Sequence, residues 1–493
     1  MAIFLKNLYR HLLKTSVYDP IKNGSANSVF YFVAGRNQEW EGGPFIPDVE
    51  TGSYSQIQQT RADMICGTRI KPSQVAFIGN RNVWTSGVVY SNYNDDVHTQ
   101  PFYVINSTND LYKCISNNNG ATSTEEPTSL SSSGTFKTSD GYIWKYMGTV
   151  STNDLSLFGT SSTIPLIPNA NIVANAISGT IDAISVIDGG NSYNRYGTGT
   201  VGALVANNIV RVNGLPDEGQ GFYIDCSFYV AGGTGSGSLR TITQSTSNGL
   251  GNFLTLNQSV NVDVTSQYIV SPRLVITGDG SGASGFVNVS DGKISNVVIV
   301  TTGTDYTSAT VTVTSTSPAE LKAHVSTSGG HGSDIVAEFD CSSLAVVSEF
   351  TKEIDDYLPD DITYYQFALL KDPKNLSGNL LTANTVAFTT HLNAGGAVFT
   401  VGERVRGAES NAHGTVMSSN AAVTFIKDVR GTFEDAETVT GETSGIHGES
   451  ANVFTSSYDK DTGELFYYSD VSAINRSDTI ISERIRCSIN LEG

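Results

Sequence analysis

The chain has 493 residues, 49 of them glycine, with 16% charged residues and a formal net charge of −19. That length holds about three domains of roughly 150 residues each, and the composition fits turn-rich β structure rather than a helical enzyme. The acidic balance argues against direct binding to nucleic-acid phosphates, which needs clustered Lys and Arg, and against docking on an anionic membrane; it keeps a large β protein soluble.

Taken from the amino end, residues 4–14 form one short predicted helix, with Phe4, Leu8 and Leu12 on one face. Lys6, Arg10 and Lys14 interrupt the apolar run, so no secretory signal is expected. Nothing approaches the roughly 18 consecutive apolar residues of a membrane span. From Ser28 the pattern changes to short β runs at 29–33, 75–78, 88–90, 102–105 and 111–115, separated by turn clusters such as 117–120 and 131–134. Asp140-Gly141 reads as a turn into the aromatic strand 142–146, whose alternation puts Tyr142, Trp144 and Tyr146 on one face, assigned to the core. Pro165 and Pro168 mark a boundary.

From about 176 to 318 the chain is rich in Gly, Ser and Thr with alternating Val and Ile. Gly179–Tyr193 aligns with Gly292–Tyr306 without a gap, 113 residues apart. Residues 205–275, between these copies, are read as further strands of a small barrel or sandwich. Tyr364–Leu370 is a buried-strand run. A second repeat follows: Phe399, Glu403, Val405, Gly407, Ser410, His413 and Gly414 recur 34 residues on as Phe433, Glu437, Val439, Gly441, Ser444, His447 and Gly448. Gly407 and Gly441 are assigned to turns with positive φ. Residues 463–468 and 483–489 close the chain as strands. Both repeats duplicate scaffold and carry no duplicated chemistry, as in proteins assembled from small β modules.

The expected architecture is mainly β. A discontinuous β-sandwich-like base domain (1–175, 319–392, 454–493) carries a short N-terminal helix and two inserted β modules, 176–318 and 393–453. The insertions are expected to fold on their own.

No catalytic, cofactor-binding or metal-ligating residue is assigned. Gly280–Gly285 matches G-x-G-x-x-G, but a strand and the turn Asp291-Gly292 follow where a dinucleotide site needs a helix; a hairpin loop is expected. His413 and His447 lack neighbouring ligands other than Glu449 and are given turn roles. His331, in Gly329-Gly-His-Gly332, is given a flexible loop. Glu353, Asp355, Asp356, Asp360 and Asp361 do not space as a calcium loop and read as a solvated face. Cys66, Cys114, Cys226, Cys341 and Cys487 are odd in number, widely spaced and free of Cys-x-x-Cys. They read as buried reduced thiols of a protein made in a cytosol.

Several segments resemble a known family. They are Phe30–Trp40, Leu111–Ile115, Glu126-Pro127 with Thr138–Met147, Gly329–Gly332, Tyr365–Pro373 and Gly463–Tyr468; Asp140-Gly-Tyr-Ile-Trp-Lys145 is the most specific. The family is the baseplate wedge subunit of contractile-tailed bacteriophages, numbered eight in the T-even phages. The likeness covers about 1–170, 320–392 and 454–493, outside the insertions. It implies a virion structural protein of the tail baseplate, synthesised in the bacterial host cytoplasm and not an enzyme. It further implies a homodimer that contacts other baseplate wedge proteins and rearranges with them on tail contraction, with no cofactor, nucleic acid or membrane insertion. A receptor- or glycan-binding tail protein, using the inserted modules as heads, is the alternative; Trp40, Trp84 and Trp144 all lie in the base segments.

Overall fold

The computed structural model describes residues 2–24, 28–39, 53–93, 100–249, 251–314, 316–351, 363–474 and 482–490. It is mainly β, with 47% strand against 11% helix, the class that the alternating patterns predict. Two compact units form: residues 1–78 with 342–493, and residues 79–341. The segment 176–318 shares the second unit with 79–175, and 393–453 lies in the first. Among the described residues no helix is long and apolar enough to cross a membrane.

In the first unit the N-terminal helix runs Ala2–Leu13, continues through a wide turn and ends with Asp19–Lys22. Among its described side chains the buried apolar ones are Leu13, Val17 and Ile21, spaced i, i+4, i+8, while Leu8 and Leu12 are exposed. Leu8 and Leu12 of the predicted stripe therefore face solvent, and Leu13, one position on, faces the core. Phe30–Gly35 is the middle of a five-stranded antiparallel sheet with Met64–Arg69 and Thr385–Ala387 on one side and Tyr364–Lys371 and Glu464–Ile474 on the other. Both its faces are buried, which explains the unbroken apolar run. Ser343–Thr351 pairs with Val75–Asn80 and Ser482–Asn490 in a second sheet, and Thr68 Oγ1 meets Ser348 Oγ between the two.

The second unit begins with a sheet of Tyr103–Ile105, Asp110–Ser116, Ile143–Thr149 and Phe136–Lys137. Tyr142, Trp144 and Tyr146 are buried, as assigned, and the Trp144 ring stacks on Tyr142 at 5.4 Å. Residues 88–90, read as a strand, make only one bridge, Val88 to Ser123.

Residues 197–272 form a closed six-stranded antiparallel barrel: Gly197–Ala206, Ile209–Asn213, Gly251–Leu256, Leu239–Asn248, Cys226–Gly232 and Gln267–Pro272. Closure removes exposed edges. Val201, Val210, Val212, Phe228, Leu254 and Val270 fill it from alternate positions. Phe228→Ala would leave a cavity costing about 3–5 kcal/mol.

The 113-residue repeats pack together beside this barrel. Tyr306 N donates to Gly179 O at 3.1 Å, and Tyr193 N donates to Gly292 O at 3.0 Å, so each copy closes the start of the other. Both tyrosines are buried in one core with Ile181, Ile184, Val287, Ile294 and Val297. The copy at Lys293–Thr304 pairs with the preceding strand Ser281–Ser290, whereas the copy at Ile181–Asp188 pairs with the later strand Glu320–Val325.

Candidate functional site

The 34-residue repeats build one object, not two. Thr390–Asn393 of the first copy is the counterpart of Thr424–Lys427 of the second, so the repeat begins earlier than Phe399. The strands run in the order His447–Glu449, Thr438–Gly441, Arg404–Gly407, His413–Ser419, Thr424–Arg430, Thr390–Asn393, Ala451–Phe454. First and last are consecutive in sequence, separated only by Ser450, so the sheet closes on itself. Equivalent residues pair with each other at two places, Arg406 with Thr440 and His391 with Phe425. A local two-fold axis therefore relates the copies, and each supplies strands to both halves of the barrel. Leu392 and Ile426, Phe399 and Phe433, and Val405 and Val439 fill the core in equivalent pairs.

Two carboxylates clamp this barrel across the axis. Glu403 accepts from Ser444 N and Ser444 Oγ, both at 2.9 Å, from Thr443 N at 3.3 Å and from its own Thr400 N at 2.6 Å. Glu437 accepts from Ser410 N at 3.0 Å, Ser410 Oγ at 2.8 Å, Glu409 N at 3.2 Å and its own Glu434 N at 2.7 Å. Both side chains are buried. Burial alone would raise their carboxyls, but the N–H and hydroxyl donors outweigh it and hold both below the usual range.

Gly407 and Gly441 are not at positive φ, so their assigned turn role is corrected. They are strand residues facing these carboxylates. A Cβ on Gly441 would meet Glu403 Oε2 at 2.5 Å, and one on Gly407 would strike the Glu437 carboxylate. Glycine recurs because an acid side chain needs the space.

His413 and His447 begin strands immediately after turns, each with Nδ1 near the carbonyl two residues back. Among the described residues no group of three or more His, Cys, Asp or Glu is arranged to hold a metal. Gly280–Gly285 runs into strand Ser281–Ser290 rather than forming the expected hairpin loop; the turn is Asp291-Gly292, both at positive φ. A strand follows, which withholds the helix N-terminus a dinucleotide needs. The acidic residues 353–361 and Trp40 lie outside the described residues. Cys66, Cys114, Cys226 and Cys341 are buried, Cys487 is half-buried, and none of the five forms a disulfide.

The Asp140–Lys145 motif is internal bracing. Asp140 Oδ2 accepts from Thr124 N at 2.8 Å, Glu125 N at 3.1 Å and Ser123 Oγ at 3.1 Å; Oδ1 accepts from Thr138 Oγ1 at 2.5 Å and Tyr142 N at 3.2 Å. Lys145 Nζ donates to Ser132 O and Gly134 O, both at 3.0 Å.

Sequence reasoning missed a charged cluster in the second unit. Lys113 and Lys145 are direct cross-strand neighbours with almost no solvent contact, a repulsive arrangement unless countercharges face it. Glu338 and Asp182 supply them: Lys113 Nζ contacts Glu338 Oε2, and Asp182 Oδ2 lies 2.9 Å from His331 Nε2. His331 is buried, so its glycine-flanked loop is a packed element rather than a flexible one. The available signal was a lysine in the middle of each of two apolar strands, 111–115 and 143–147.

The first unit also has a cleft of about 690 Å³ lined by Arg61, Asp428, Arg430, Tyr458 and Lys460. Arg61 donates to the carbonyls of Thr462 and Gly463, and Lys460 pairs with Asp428 at 3.0 Å, so much of its charge is already matched. No family model matches this chain, and no curated protein matches it.

Proposed function

We propose that this chain is a non-catalytic structural subunit of a contractile phage tail baseplate wedge, joining neighbouring wedge proteins and rearranging with them on contraction. The observation that carries the reading is the use made of the most specific resembling stretch. The polar side chains of Asp140-Gly-Tyr-Ile-Trp-Lys145 with hydrogen bonds spend them inside the same unit: Asp140 with residues 123–125, 138 and 142, Tyr142 with Ala121 and Tyr90, Lys145 with 132 and 134. Gly330–Gly332 is likewise packed into the core beside Glu338. Residues that mark the likeness maintain a rigid body, which is what a subunit transmitting force between neighbours requires.

The insertions support contact with protein rather than sugar. Among the described residues, the exposed large hydrophobic side chains of 176–318 and 393–453 are aliphatic: Ile177, Ile187, Leu204, Val205, Val264, Val398, Val401 and Ile446. Sugar rings stack on aromatics, whereas aliphatic surface suits protein interfaces. Permanent assemblies bury roughly 2,000 Å² or more per interface.

Quantitative mass spectrometry of purified virions and of isolated tails tests the reading. The chain is expected in both, in a fixed ratio to the other baseplate proteins. Its presence in infected cells but not in tails overturns the proposal. Light scattering on the purified chain at micromolar concentration tests self-association, and a monomer removes the homodimer from the proposal.

A further inference from the structure

The charged cluster of the second unit has more parts than an ion pair uses. Lys113 is fully buried, its Nζ touches Glu338 Oε2, and it lies 3.9 Å from the centre of the Tyr93 ring. On the far side of the same carboxyl, Gly332 N donates to Glu338 Oε1 at 2.6 Å and Asp334 N at 3.4 Å. His331 Nδ1 stands 3.8 Å from Glu338 Oε2, and its Nε2 is 2.9 Å from Asp182 Oδ2. Neither ring nitrogen makes an aligned hydrogen bond, so the imidazole sits between the two carboxylates with its polar atoms not committed elsewhere. An amine nucleophile, a carboxyl, two N–H groups on one of its oxygens and an imidazole near the other surround a single carbon.

We propose that Lys113 and Glu338 condense spontaneously to an intramolecular amide, a covalent cross-link between the strand Asp110–Ser116 and the short helix Ile335–Glu338. Lys113 Nζ attacks Glu338 Cδ, and the tetrahedral oxyanion forms on Oε1, facing Gly332 N–H and Asp334 N–H. The Cδ–Oε2 bond then breaks. Oε2 leaves as water, taking the two hydrogens that the ammonium gives up, with His331 as carrier and Asp182 orienting it. An ammonium and a carboxylate become an amide and one water, so atoms and charge balance with no co-reactant.

Burial supplies the driving conditions. Two charges out of water are costly, and passing one proton from Nζ to Oε2 turns them into the neutral amine and acid that react. Desolvation pushes the Lys113 ammonium down to about 8, against the opposing pull of Glu338. Burial likewise works to raise Glu338, but the nearby His331 and Lys113 hold it below the usual range, so the ion pair is the resting form. Fixed contact compensates for the small reactive fraction: well-oriented intramolecular reactions reach effective molarities of about 10⁵–10⁸ M.

Intact-mass measurement of the denatured full chain, held at neutral pH after purification, is the test. The chain is expected to be lighter than its sequence by one water, and a tryptic digest to contain a branched peptide joining the Lys113 and Glu338 segments. Lys113→Arg and Glu338→Ala are expected at full sequence mass. The unaltered chain decides, whatever the folding of the variants: full sequence mass with the two peptides separate overturns the proposal. So does a water loss that maps to Asp140, Asp188, Asp279 or Asp291, each followed by glycine. In His331→Ala the cross-link is expected to form at least about tenfold more slowly; an unchanged rate removes His331 from the reaction. The cross-link is independent of the assembly reading, and its absence leaves that reading intact.

Discussion

Glu403 and Glu437 hold each other's repeat. Each carboxylate leaves its own strand, crosses the local two-fold axis and accepts the backbone N–H and hydroxyl of a serine in the other copy, Ser444 for Glu403 and Ser410 for Glu437. Around them the backbone reciprocates: Ala408 N donates to Thr438 O, and Glu442 N donates to Arg404 O. One copy alone would leave its carboxylate with only the N–H of its own loop, Thr400 for Glu403 and Glu434 for Glu437, and the strand edges that face the other copy without partners. The duplication is therefore a condition of the fold, and the barrel is expected to unfold as a unit.

Replacing either acid should loosen both copies equally. Glu403→Ala and Glu437→Ala each leave several partly buried donors without an acceptor, at a cost of about 1–3 kcal/mol. Hydrogen exchange across 390–454 should rise by a similar factor in the two variants and in both copies. Loss of protection confined to one copy would show that the repeats are separate folding units.

The same clamp sets a pH dependence. Both carboxyls are held below their unfolded value of 4.5, so in acid the native state binds fewer protons than the unfolded chain. Their contribution is complete above about pH 4.5 and is lost as pH falls through the lowered native values. Thermal melts from pH 7 to 3 should show the barrel weakening below about pH 4.5. The Glu403→Gln, Glu437→Gln variant should be less stable at neutral pH and flatter in acid; an unchanged acid slope would refute the assignment.

Gly407 and Gly441 should tolerate alanine only when the facing acid is gone. Gly441→Ala places a methyl 2.5 Å from Glu403 Oε2, and displacing that carboxylate should cost about 1–3 kcal/mol. In a double-mutant cycle, Gly441→Ala should add much less in a Glu403→Ala background, because neighbours that share a contact are not additive. Additive costs would point instead to the other atom the methyl meets, Ser444 Oγ at 2.6 Å.

What was legible in the sequence is what local patterning encodes. The strands Phe30–Gly35, Asp110–Ser116 and Tyr364–Lys371 follow from apolar runs and flanking turns. Both repeats were visible as recurring strand and turn residues. The reason for their glycines was not: Gly407 answers to Glu437, 30 residues away, and such contacts leave no local mark. The helix register failed because Leu8 and Leu12 differ from Leu13 only in what packs against them. The acid clamp had a signal in the recurrence of Glu403 as Glu437, since an acid retained among core residues implies buried donors. Lys113 and Lys145 had one in their apolar surroundings, but no spacing rule points to Asp182 or Glu338.

Asp140 offers the clearest measure of the bracing in the second unit. Its carboxylate gathers five donors from residues 123–125, 138 and 142, and these donors outweigh burial to hold its carboxyl below the usual range. Asp140→Asn keeps one acceptor oxygen and places an amide donor where Oδ1 or Oδ2 accepted. Asp140→Ala removes every acceptor, and the main-chain N–H groups of Thr124, Glu125 and Tyr142 lose their partner. The expected cost is about 1–2 kcal/mol for Asn and roughly 2–4 kcal/mol for Ala, because several donors are lost together. Trp144 stacks on Tyr142, the residue that Asp140 holds, so its fluorescence reports the effect directly. Denaturant titration followed at Trp144 should show the midpoint falling in the order wild type, Asn, Ala. Equal midpoints for all three would mean that the loops are held by their backbone alone.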